Sequence, residues 1–340
     1  MNWQKIEIKN DLGITVEAQA PVIISASRST DIPAFYADWF MERIRKGYLK
    51  WKNPFNGVPL YVSFEKARLI VFWSKNPKPM LLHLDFLDER NLNYYFQYTL
   101  NDYDKEGIEK GVPKVAERID TFRKLADRIG KEKVIWRYDP LIITDTVGVD
   151  ELLRKVEGIG NQLKGYTDKL VFSFADIRQY KKVQSNLDKS SANYREFDEA
   201  QMNEFCSGLQ QLNQSWNFQL GTCAEPIALE QYGISHNKCI DDDLIIRLFP
   251  NDKALMDLLG VKLIAADIFN PEPHIEKTKN NHDTGQRVFC GCIVSKDIGE
   301  YNTCPHQCEY CYANTNPQAA LANYKRFRGN IHSESISGEI

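Results

Sequence analysis

The chain has 340 residues, with 43 Lys or Arg against 46 Asp or Glu, so its formal net charge is −3. With 43% hydrophobic and 26% charged residues, the composition excludes collagen, coiled-coil and largely disordered chains. The near-neutral charge argues against a globally basic nucleic-acid binder. The N-terminal segment has no apolar stretch typical of a secretory signal, and runs such as Leu69–Trp73 are far shorter than the ~20 residues that span a bilayer. We therefore expect a cytoplasmic protein without membrane contact.

Short apolar runs alternate with helical patterns along most of the chain. Runs rich in β-branched or aromatic residues predict six buried strands, at Val22–Ser25, Leu69–Trp73, Tyr94–Leu100, Val134–Arg137, Leu170–Phe174 and Phe218–Leu220. Amphipathic spacing predicts helices from Pro33 to Gly47 and over Pro113–Ile129, Val149–Leu163 and Phe197–Leu212. Continuous apolar strands that alternate with helices are typical of a parallel sheet buried on both faces.

Three parts of the chain are predicted from these patterns. We expect an α/β unit over residues 1–268, a cysteine-rich segment over 269–328 that packs on it, and a mobile polar tail over 329–340. Within the second part, Phe269–Arg287 is polar and poor in core residues, as expected of a functional or disordered loop.

The eight cysteines are unevenly placed, since none precedes Cys206 and five lie between Cys290 and Cys311. In a reducing compartment, such clustering favours metal ligands over disulfides. Cys206 is the exception, because it lies beside Phe205 on the apolar face of a predicted helix and is expected to pack in the core.

Three of these cysteines, in the segment TCPHQCEYCYAN, are candidates for an open metal site: Cys304, Cys308 and Cys311. A cubane [4Fe–4S] cluster normally takes four thiolates, so three leave one iron open, as in reactive rather than closed metal sites. The alternative for the same segment is a zinc knuckle completed by a fourth thiolate or by His306.

The segment CPHQCEYC resembles the signature loop of radical SAM enzymes, in which three cysteines at this spacing, with an aromatic residue before the third, hold the cluster. The segments SASRSTDIPAFY, FWSKNP, WRYDP and CGC, together with CPHQCEYCYAN, resemble an uncharacterised bacterial family with a radical-SAM-like cysteine cluster at its C-terminus. The resemblance implies a partial (β/α)6 TIM-like barrel over 1–268, with the cysteine loop on its mouth. It also implies that the open iron binds S-adenosylmethionine (SAM) and cleaves it reductively to a 5′-deoxyadenosyl radical. A one-electron donor similar to flavodoxin or ferredoxin would then be required.

Two features depart from the radical SAM pattern. The cysteine motif follows the last predicted strand rather than the first, which predicts either a permuted barrel or a C-terminal loop that returns over the mouth. The Gly-Gly-Glu segment usual in that family is absent, because the sequence contains no Gly-Gly pair.

Four further cysteines are candidates for a second centre: Cys223, Cys239, Cys290 and Cys292. Four thiolates make a closed site for either an auxiliary [4Fe–4S] cluster or a structural Zn²⁺. The glycine between the last two lets the backbone turn so that both thiolates face one centre. The alternative is that Cys223 and Cys239 are buried apolar thiols.

Polar side chains follow the predicted strands, where barrel enzymes of this class place their functional groups. The candidates for cofactor binding are Arg28, Lys75, Asn76, Arg137, Asp139, Asp176, Arg178 and Glu225. Because arginine forms charge-assisted hydrogen bonds with carboxylates, Arg137 and Arg178 are the predicted partners of the SAM carboxylate. Because a carboxylate accepts hydrogen bonds from hydroxyls, Asp139 or Glu225 is the predicted partner of the ribose. The alternative is that these residues form salt bridges that close the rim.

Two classes of function remain open from the sequence. The first is a radical-SAM-like enzyme acting on a substrate that the sequence does not reveal. The second is a non-enzymatic zinc- or iron–sulfur-binding barrel that binds a partner or nucleic acid. The stretch Arg43–Lys52 mixes basic and aromatic residues, which is a weak signal for single-stranded nucleic acid and for a repair activity, with a solvated helix end as the alternative. His282 and Asp283 are candidates for substrate contact or for ordinary solvated loop residues.

Overall fold

A computed structural model describes residues 3–54, 56–178, 181–188, 193–264 and 274–338. The strands are β1 Lys5–Lys9, β2 Thr15–Gln19, β3 Ile23–Ala26, β4 Tyr48–Lys52, β5 Pro59–Ser63, β6 Leu69–Ser74, β7 Asn93–Thr99, β8 Val134–Leu141, β9 Ile143–Thr144, β10 Lys169–Phe174, β11 Tyr194–Arg195, β12 Gln219–Thr222, β13 Ile234–His236, β14 Val261–Ile264, β15 His274–Lys277 and β16 Lys296–Asp297. The α-helices are α1 Ile32–Phe35, α2 Ala37–Lys46, α3 Leu84–Glu89, α4 Val115–Ile129, α5 Val149–Leu163, α6 Lys181–Leu187, α7 Glu199–Trp216, α8 Asp242–Leu248, α9 Lys253–Leu259 and α10 Pro317–Arg328. Short 3₁₀ helices lie at Lys78–His83, Lys131–Lys133 and Glu230–Tyr232.

Eight parallel strands form the central sheet, in the order β16-β3-β6-β7-β8-β10-β12-β13. All six predicted strands belong to it, and β13 and β16 are additions that the sequence patterns did not indicate. The prediction of an α/β fold with parallel strands is therefore confirmed. The barrel is not, because the two edge strands β13 and β16 form no pair with each other among the residues described.

The two faces of the sheet are covered by different parts of the chain. On one face, side chains such as Ile70 and Phe96 pack against the helices that connect the strands, including α2, α4, α5 and α7. On the other face, Leu69 and Val71 share a core with α8, α9 and several of the cysteines. Burial on both sides explains why these strands read as continuous apolar runs.

β16, the last strand of the central sheet in chain order, lies beside β3, which is the first. β16 pairs in parallel with β3, through Lys296 opposite Ile24 and Asp297 opposite Ser25. The cysteine loop and then α10 follow β16, and Phe327 of α10 packs in the same core as the other connecting helices. The cysteine motif thus follows β16, a strand at the edge of the sheet next to β3, although the motif comes late in the chain.

The C-terminal residues differ from the predicted mobile tail. Trp39 Nε1 donates to the carbonyl of Ser333 at 2.8 Å, and Tyr48 donates to the Glu334 carboxylate at 2.5 Å. Ile336 is only 1% exposed. Of residues 329–338, those from Ser333 onward therefore pack against α2 and the four-stranded sheet β1-β2-β5-β4, through these hydrogen bonds and the buried Ile336.

The predicted boundary at residue 268 and the start of the predicted loop at Phe269 lie outside the described residues. The described part of that loop contains β15, which pairs antiparallel with β14. Within the described parts of the chain, no helix is long and apolar enough to cross a membrane.

Candidate metal and cofactor site

A cavity of about 480 Å³ lies at the carboxyl ends of the parallel strands. Its wall includes Ser74 at the end of β6, Thr99 at the end of β7 and Ser173 in β10. Seven of the eight cysteines also line it: Cys223, Cys239, Cys290, Cys292, Cys304, Cys308 and Cys311. Cys206 instead lies in the core with 0% exposure, as predicted. The fold thus brings both predicted groups of cysteines to one space.

The loop that carries Cys304, Cys308 and Cys311, here called the trio, is held by backbone contacts on both sides. The Glu309 N–H donates to the carbonyl of Ile108 at 2.9 Å. The Gly111 N–H donates to the carbonyl of His306 at 2.8 Å, and a Cβ at Gly111 would lie 2.8 Å from the carbonyl oxygen of the residue before His306. Close backbone approach therefore requires glycine at position 111.

His306 is held by hydrogen bonds at both ring nitrogens. Its Nε2 lies 2.7 Å from Asp31 Oδ2, and its Nδ1 lies 3.1 Å from the carbonyl oxygen of Gly111. Asp31 also accepts hydrogen bonds from Ser74 Oγ and from the backbone N–H of Lys75, each at 2.7 Å. A ligating histidine uses one ring nitrogen for the metal, so this arrangement disfavours the zinc site completed by His306.

A buried ion pair lies behind the trio. Lys75 Nζ is 2.8 Å from Glu109 Oε1 and 2.7 Å from the Tyr310 hydroxyl, and Tyr310 donates to the same Glu109 oxygen. Burial alone would raise the pKa of Glu109, but Lys75 and Arg118 outweigh burial and lower this pKa to about 2. Burial would lower the pKa of Lys75, and Glu109 outweighs this effect and raises it. Both groups are therefore charged at neutral pH.

Arg137 and Asp139 form a second charged pair in the wall. Arg137 donates two hydrogen bonds to Asp139 Oδ2, and Ser173 donates to the other carboxylate oxygen. Burial would raise the pKa of Asp139, but Arg137 outweighs it and lowers the pKa. The Asp139 carboxylate is thus ionised and has hydrogen bonds on both oxygens.

Arg28 is the cationic wall residue with an uncommitted donor. Its guanidinium lies over the Trp73 ring, 5.4 Å from the ring centroid. Arg28 Nη2 and Trp73 Nε1 are both buried without a hydrogen-bond partner among the described residues. The Arg28 backbone is fixed, since its N–H donates to Asp297 Oδ2 at 2.8 Å and its carbonyl accepts from Tyr312 at 2.7 Å. A buried, unpaired guanidinium nitrogen beside a cavity is suited to an anionic group of a ligand.

The second predicted group of cysteines, here called the quartet, comprises Cys223, Cys239, Cys290 and Cys292. Cys223 Sγ lies 3.6 Å from Cys239 Sγ. Cys292 contacts both Cys239 and Cys290 through its side chain. Four sulfurs from three separate segments are therefore linked by pairwise contacts along the wall of the cavity.

Five of the eight predicted cofactor-binding residues line the cavity: Arg28, Lys75, Arg137, Asp139 and Asp176. Asp176 is paired with Arg287 at 2.7 Å, and burial raises its pKa. The other three lie elsewhere. The Arg178 side chain is 87% exposed and paired with Glu196, so the prediction that it faces the cavity is wrong.

Asn76 and Glu225 also lie outside the wall of the cavity. The Asn76 backbone N–H donates to Ser74 Oγ at 2.9 Å, which makes it part of a turn. Glu225 is 2% exposed and accepts from the Phe174 N–H at 3.0 Å. Burial and the nearby Asp176 raise the pKa of Glu225 to about 8. Strand-end position brought these residues near the cavity without directing their side chains into it.

The aromatic residues and Arg43 of the stretch Arg43–Lys52 are engaged within the protein, whereas Arg45, Lys46 and Lys52 are exposed. Arg43 is 0% exposed and paired with Asp11 at 2.9 Å, and Tyr48 is 2% exposed. Trp51 Nε1 donates to the carbonyl of Gly299 at 2.9 Å. These contacts leave neither aromatic ring as an open stacking platform for bases.

The two loop residues singled out from the sequence are also in structural roles. His282 Nε2 lies 2.6 Å from the carbonyl oxygen of Cys290, and Asp283 accepts from the Gly285 N–H at 3.1 Å. Neither lines the cavity.

Three charged groups in the wall or beside it were not predicted: Arg287 lines the cavity, whereas Glu109 lies behind the trio and Asp297 accepts from the backbone of Arg28. Glu109 lies on a connection without periodic pattern, Arg287 on the polar loop, and Asp297 on a strand of two residues. The sequence carried one signal for Asp297, because this residue lies shortly before the cysteine motif. The signal could be used only by knowing that the strand with Asp297 is a neighbour of β3. Glu109 had no local signal, since its partners come from β6 and the trio loop.

Residues 23–313 match the family model described as a domain of unknown function, DUF1848. The chain belongs to this family. The DUF1848 region includes every strand of the central sheet and all seven cysteines of the cavity. No curated protein matches the sequence. A solved structure from Bacteroides thetaiotaomicron, provisionally described as an alpha-L-fucosidase, is similar over 51% of this chain and 77% of its own at 12% identity, with a TM-score of 0.25, too low to carry an argument. The DUF1848 description names no chemistry.

Proposed function

We propose that the protein is a radical-SAM-like iron–sulfur enzyme in which the trio holds a [4Fe–4S] cluster and the cavity holds SAM. The observation that carries the proposal is that three cysteines at radical SAM spacing and a buried guanidinium nitrogen, which has no partner in the described part of the chain, belong to the wall of one cavity. The position of the loop adds support, because it follows an edge strand next to β3 and precedes a helix, as in a βα unit.

The donor set fits a cluster with three protein ligands. His306, the nearest nitrogen ligand in the motif, has both ring nitrogens hydrogen-bonded to Asp31 and Gly111. Burial raises the pKa of Cys304 to about 12, so binding of a metal there must displace a proton. When bound, such a cluster would supply the electron for reductive cleavage of SAM to methionine and a 5′-deoxyadenosyl radical.

Different residues of the cavity wall would bind different groups of SAM. Arg28 offers the free Nη2 for the SAM carboxylate, a role that the sequence had assigned to Arg137 and Arg178. Arg137 is committed to Asp139, and Arg178 points to solvent. Asp139 remains the candidate for the ribose hydroxyls, because its ionised carboxylate is an acceptor at the edge of the cavity. Lys75 and Glu109 hold the trio loop in place through Tyr310 and act as positioning residues.

The test uses the full chain, purified and reconstituted without air. Incubation with SAM and dithionite, which substitutes for a flavodoxin- or ferredoxin-like donor, is expected to release 5′-deoxyadenosine. Cys308→Ala is expected to abolish the release, whereas Cys206→Ala is the matched control because that thiol lies in α7 away from the cavity. Iron-loaded wild-type protein that releases no 5′-deoxyadenosine would refute the proposal. A colourless protein that binds zinc at the trio would instead favour a non-enzymatic metal-binding role.

A further inference from the structure

The quartet has a construction of its own, separate from the trio. Cys223 follows β12, Cys239 follows β13, and Cys290 and Cys292 come from the loop before β16. Cys239, Cys290 and Cys292 are each at most 9% exposed. None of the eight cysteines, all of which lie in the described residues, is in a disulfide. Convergence of buried, unbridged thiols from three segments is typical of a ligand set for a thiophilic metal.

Hydrogen-bond donors are aimed at two of the quartet sulfurs. Cys239 Sγ accepts from Arg137 Nη1 at 3.0 Å and from Asn237 Nδ2 at 3.3 Å. Cys292 Sγ accepts from the backbone N–H groups of Cys239 and Ile240 at 3.3 and 3.4 Å. A neutral thiol is a weak acceptor, so several N–H donors around one sulfur would become stronger hydrogen bonds once a metal converts the thiol to a thiolate. Iron–sulfur and zinc thiolates are held by contacts of this kind.

One pair of quartet sulfurs is at the distance expected of two ligands on one ion. The 3.6 Å between Cys223 Sγ and Cys239 Sγ is close to the about 3.8 Å expected between two thiolates on one tetrahedral ion with Zn–S bonds of about 2.3 Å. No three sulfurs among the described cysteines lie within 4.8 Å of one another, so a single bound ion would require the other side chains of the quartet to move towards this pair. Four thiolates around a core of charge +2 leave two negative charges. Two guanidiniums, Arg28 and Arg137, both lie over the Trp73 ring and interact electrostatically with quartet sulfurs, so the local field favours negative charge there even though Arg137 is also paired with Asp139.

The two parts of the quartet approach each other closely at Gly291. A Cβ at Gly291 would lie 2.9 Å from Lys238 Cγ, next to the segment that carries Cys239. A larger residue between Cys290 and Cys292 would therefore require the Lys238 side chain to move.

We infer that the quartet binds a second metal centre, independent of the trio, in which four thiolates hold either one zinc ion or a closed iron–sulfur cluster. The centre joins the loop before β16 to the ends of β12 and β13, and so fixes part of the cavity wall. Both metals share thiolate chemistry, and the metal analysis distinguishes them.

The test compares wild type with two variants of the full chain, purified without air. The first variant lacks the trio thiols (Cys304→Ala, Cys308→Ala and Cys311→Ala). The second lacks the quartet thiols (Cys223→Ala, Cys239→Ala, Cys290→Ala and Cys292→Ala). Elemental analysis, sulfide assay and native mass spectrometry measure zinc, iron and sulfide per chain.

The trio variant is expected to keep the metal of the quartet, as one zinc without sulfide or as iron with matching sulfide. The quartet variant is expected to lose that metal and to keep the iron of the trio, and Cys206→Ala should change neither. If the proposed function fails while this inference holds, wild type and the trio variant contain the same metal. A trio variant without bound metal would overturn the inference, and so would a disulfide between Cys223 and Cys239 in anaerobic wild type.

A second measurement covers the case in which the quartet variant does not fold. Co²⁺ added to the metal-free trio variant is expected to give the intense near-ultraviolet absorption of cobalt bound to thiolates. The single conservative change Cys290→Ser should reduce that absorption, whereas Cys206→Ser should leave it unchanged. Equal absorption in both would also overturn the inference.

Discussion

The buried pair Lys75–Glu109 provides the most quantitative test of how the trio loop is held. Its side chains are 16% and 4% exposed, and Glu109 also lies 3.5 Å from Arg118. Lys75→Met leaves the carboxylate buried with weaker compensation, and Glu109→Gln leaves the ammonium without its anion. Each change is expected to destabilise the fold, since breaking one side of a buried pair typically costs about 3–5 kcal/mol.

The magnitude follows from the pKa of Glu109. Its fall from the ordinary 4.5 to about 2 corresponds to about 3 kcal/mol, because one pKa unit is worth about 1.4 kcal/mol. Arg118 supplies part of this, so we expect about 2 kcal/mol of coupling between Lys75 and Glu109. A lowered carboxyl pKa stabilises the fold above the ordinary value of 4.5, and the contribution disappears as the pH falls towards 2.

The assay is a double-mutant cycle by urea unfolding at pH 7, followed by circular dichroism. The double variant is expected to lose about 2 kcal/mol less than the two single variants together. The matched control is the exposed pair Asp120–Lys124, with side chains 61% and 65% exposed, for which coupling of about 0.3–0.5 kcal/mol is expected. Two results would refute the reasoning. One is a coupling energy in the buried pair no larger than in this control. The other is a loss of unfolding free energy in Lys75→Met that does not diminish below pH 4.5.

Three further changes test the packing around the site. Gly160→Ala would place a Cβ 2.5 Å from the Trp216 ring, so we expect it to lower the free energy of unfolding by about 1–3 kcal/mol. The control is Gly158→Ala in the same helix, where a Cβ would meet open space and should raise the free energy of unfolding by up to ~1 kcal/mol. Equal effects of the two changes would contradict the α5–α7 contact. Ile336→Ala should cost about 2–4 kcal/mol in the same assay, and a negligible loss would mean that residues 329–338 are not packed. Gly299→Ala would bring a Cβ within 1.9 Å of a serine oxygen in the cavity wall, so thermal unfolding should shift to lower temperature, and an unchanged midpoint would count against this wall geometry.

Local patterns in the sequence were sufficient for most of the central architecture. The helix predicted over Val149–Leu163 has those bounds in the structure, and the run Leu69–Trp73 is β6 with one further residue. These elements can be recognised in the sequence because their buried apolar residues follow the geometry of the backbone. A helix buries the residues of one face, and a strand in this sheet buries those of both faces. The trio could be recognised from the sequence because its three cysteines lie within eight residues.

Contacts between distant segments were decided only by the tertiary structure. The neighbour of β3 is β16, a strand of two residues too short to carry a periodic signal, and it determines where the trio loop lies. Residues at strand ends were predicted to face the cavity, yet Arg178 faces solvent, while Arg28 lines the cavity and has a guanidinium nitrogen that no other described residue pairs with. Strand position determines where a backbone ends, but a side chain's direction depends on partners that come from elsewhere in the chain, and no local pattern encodes those partners.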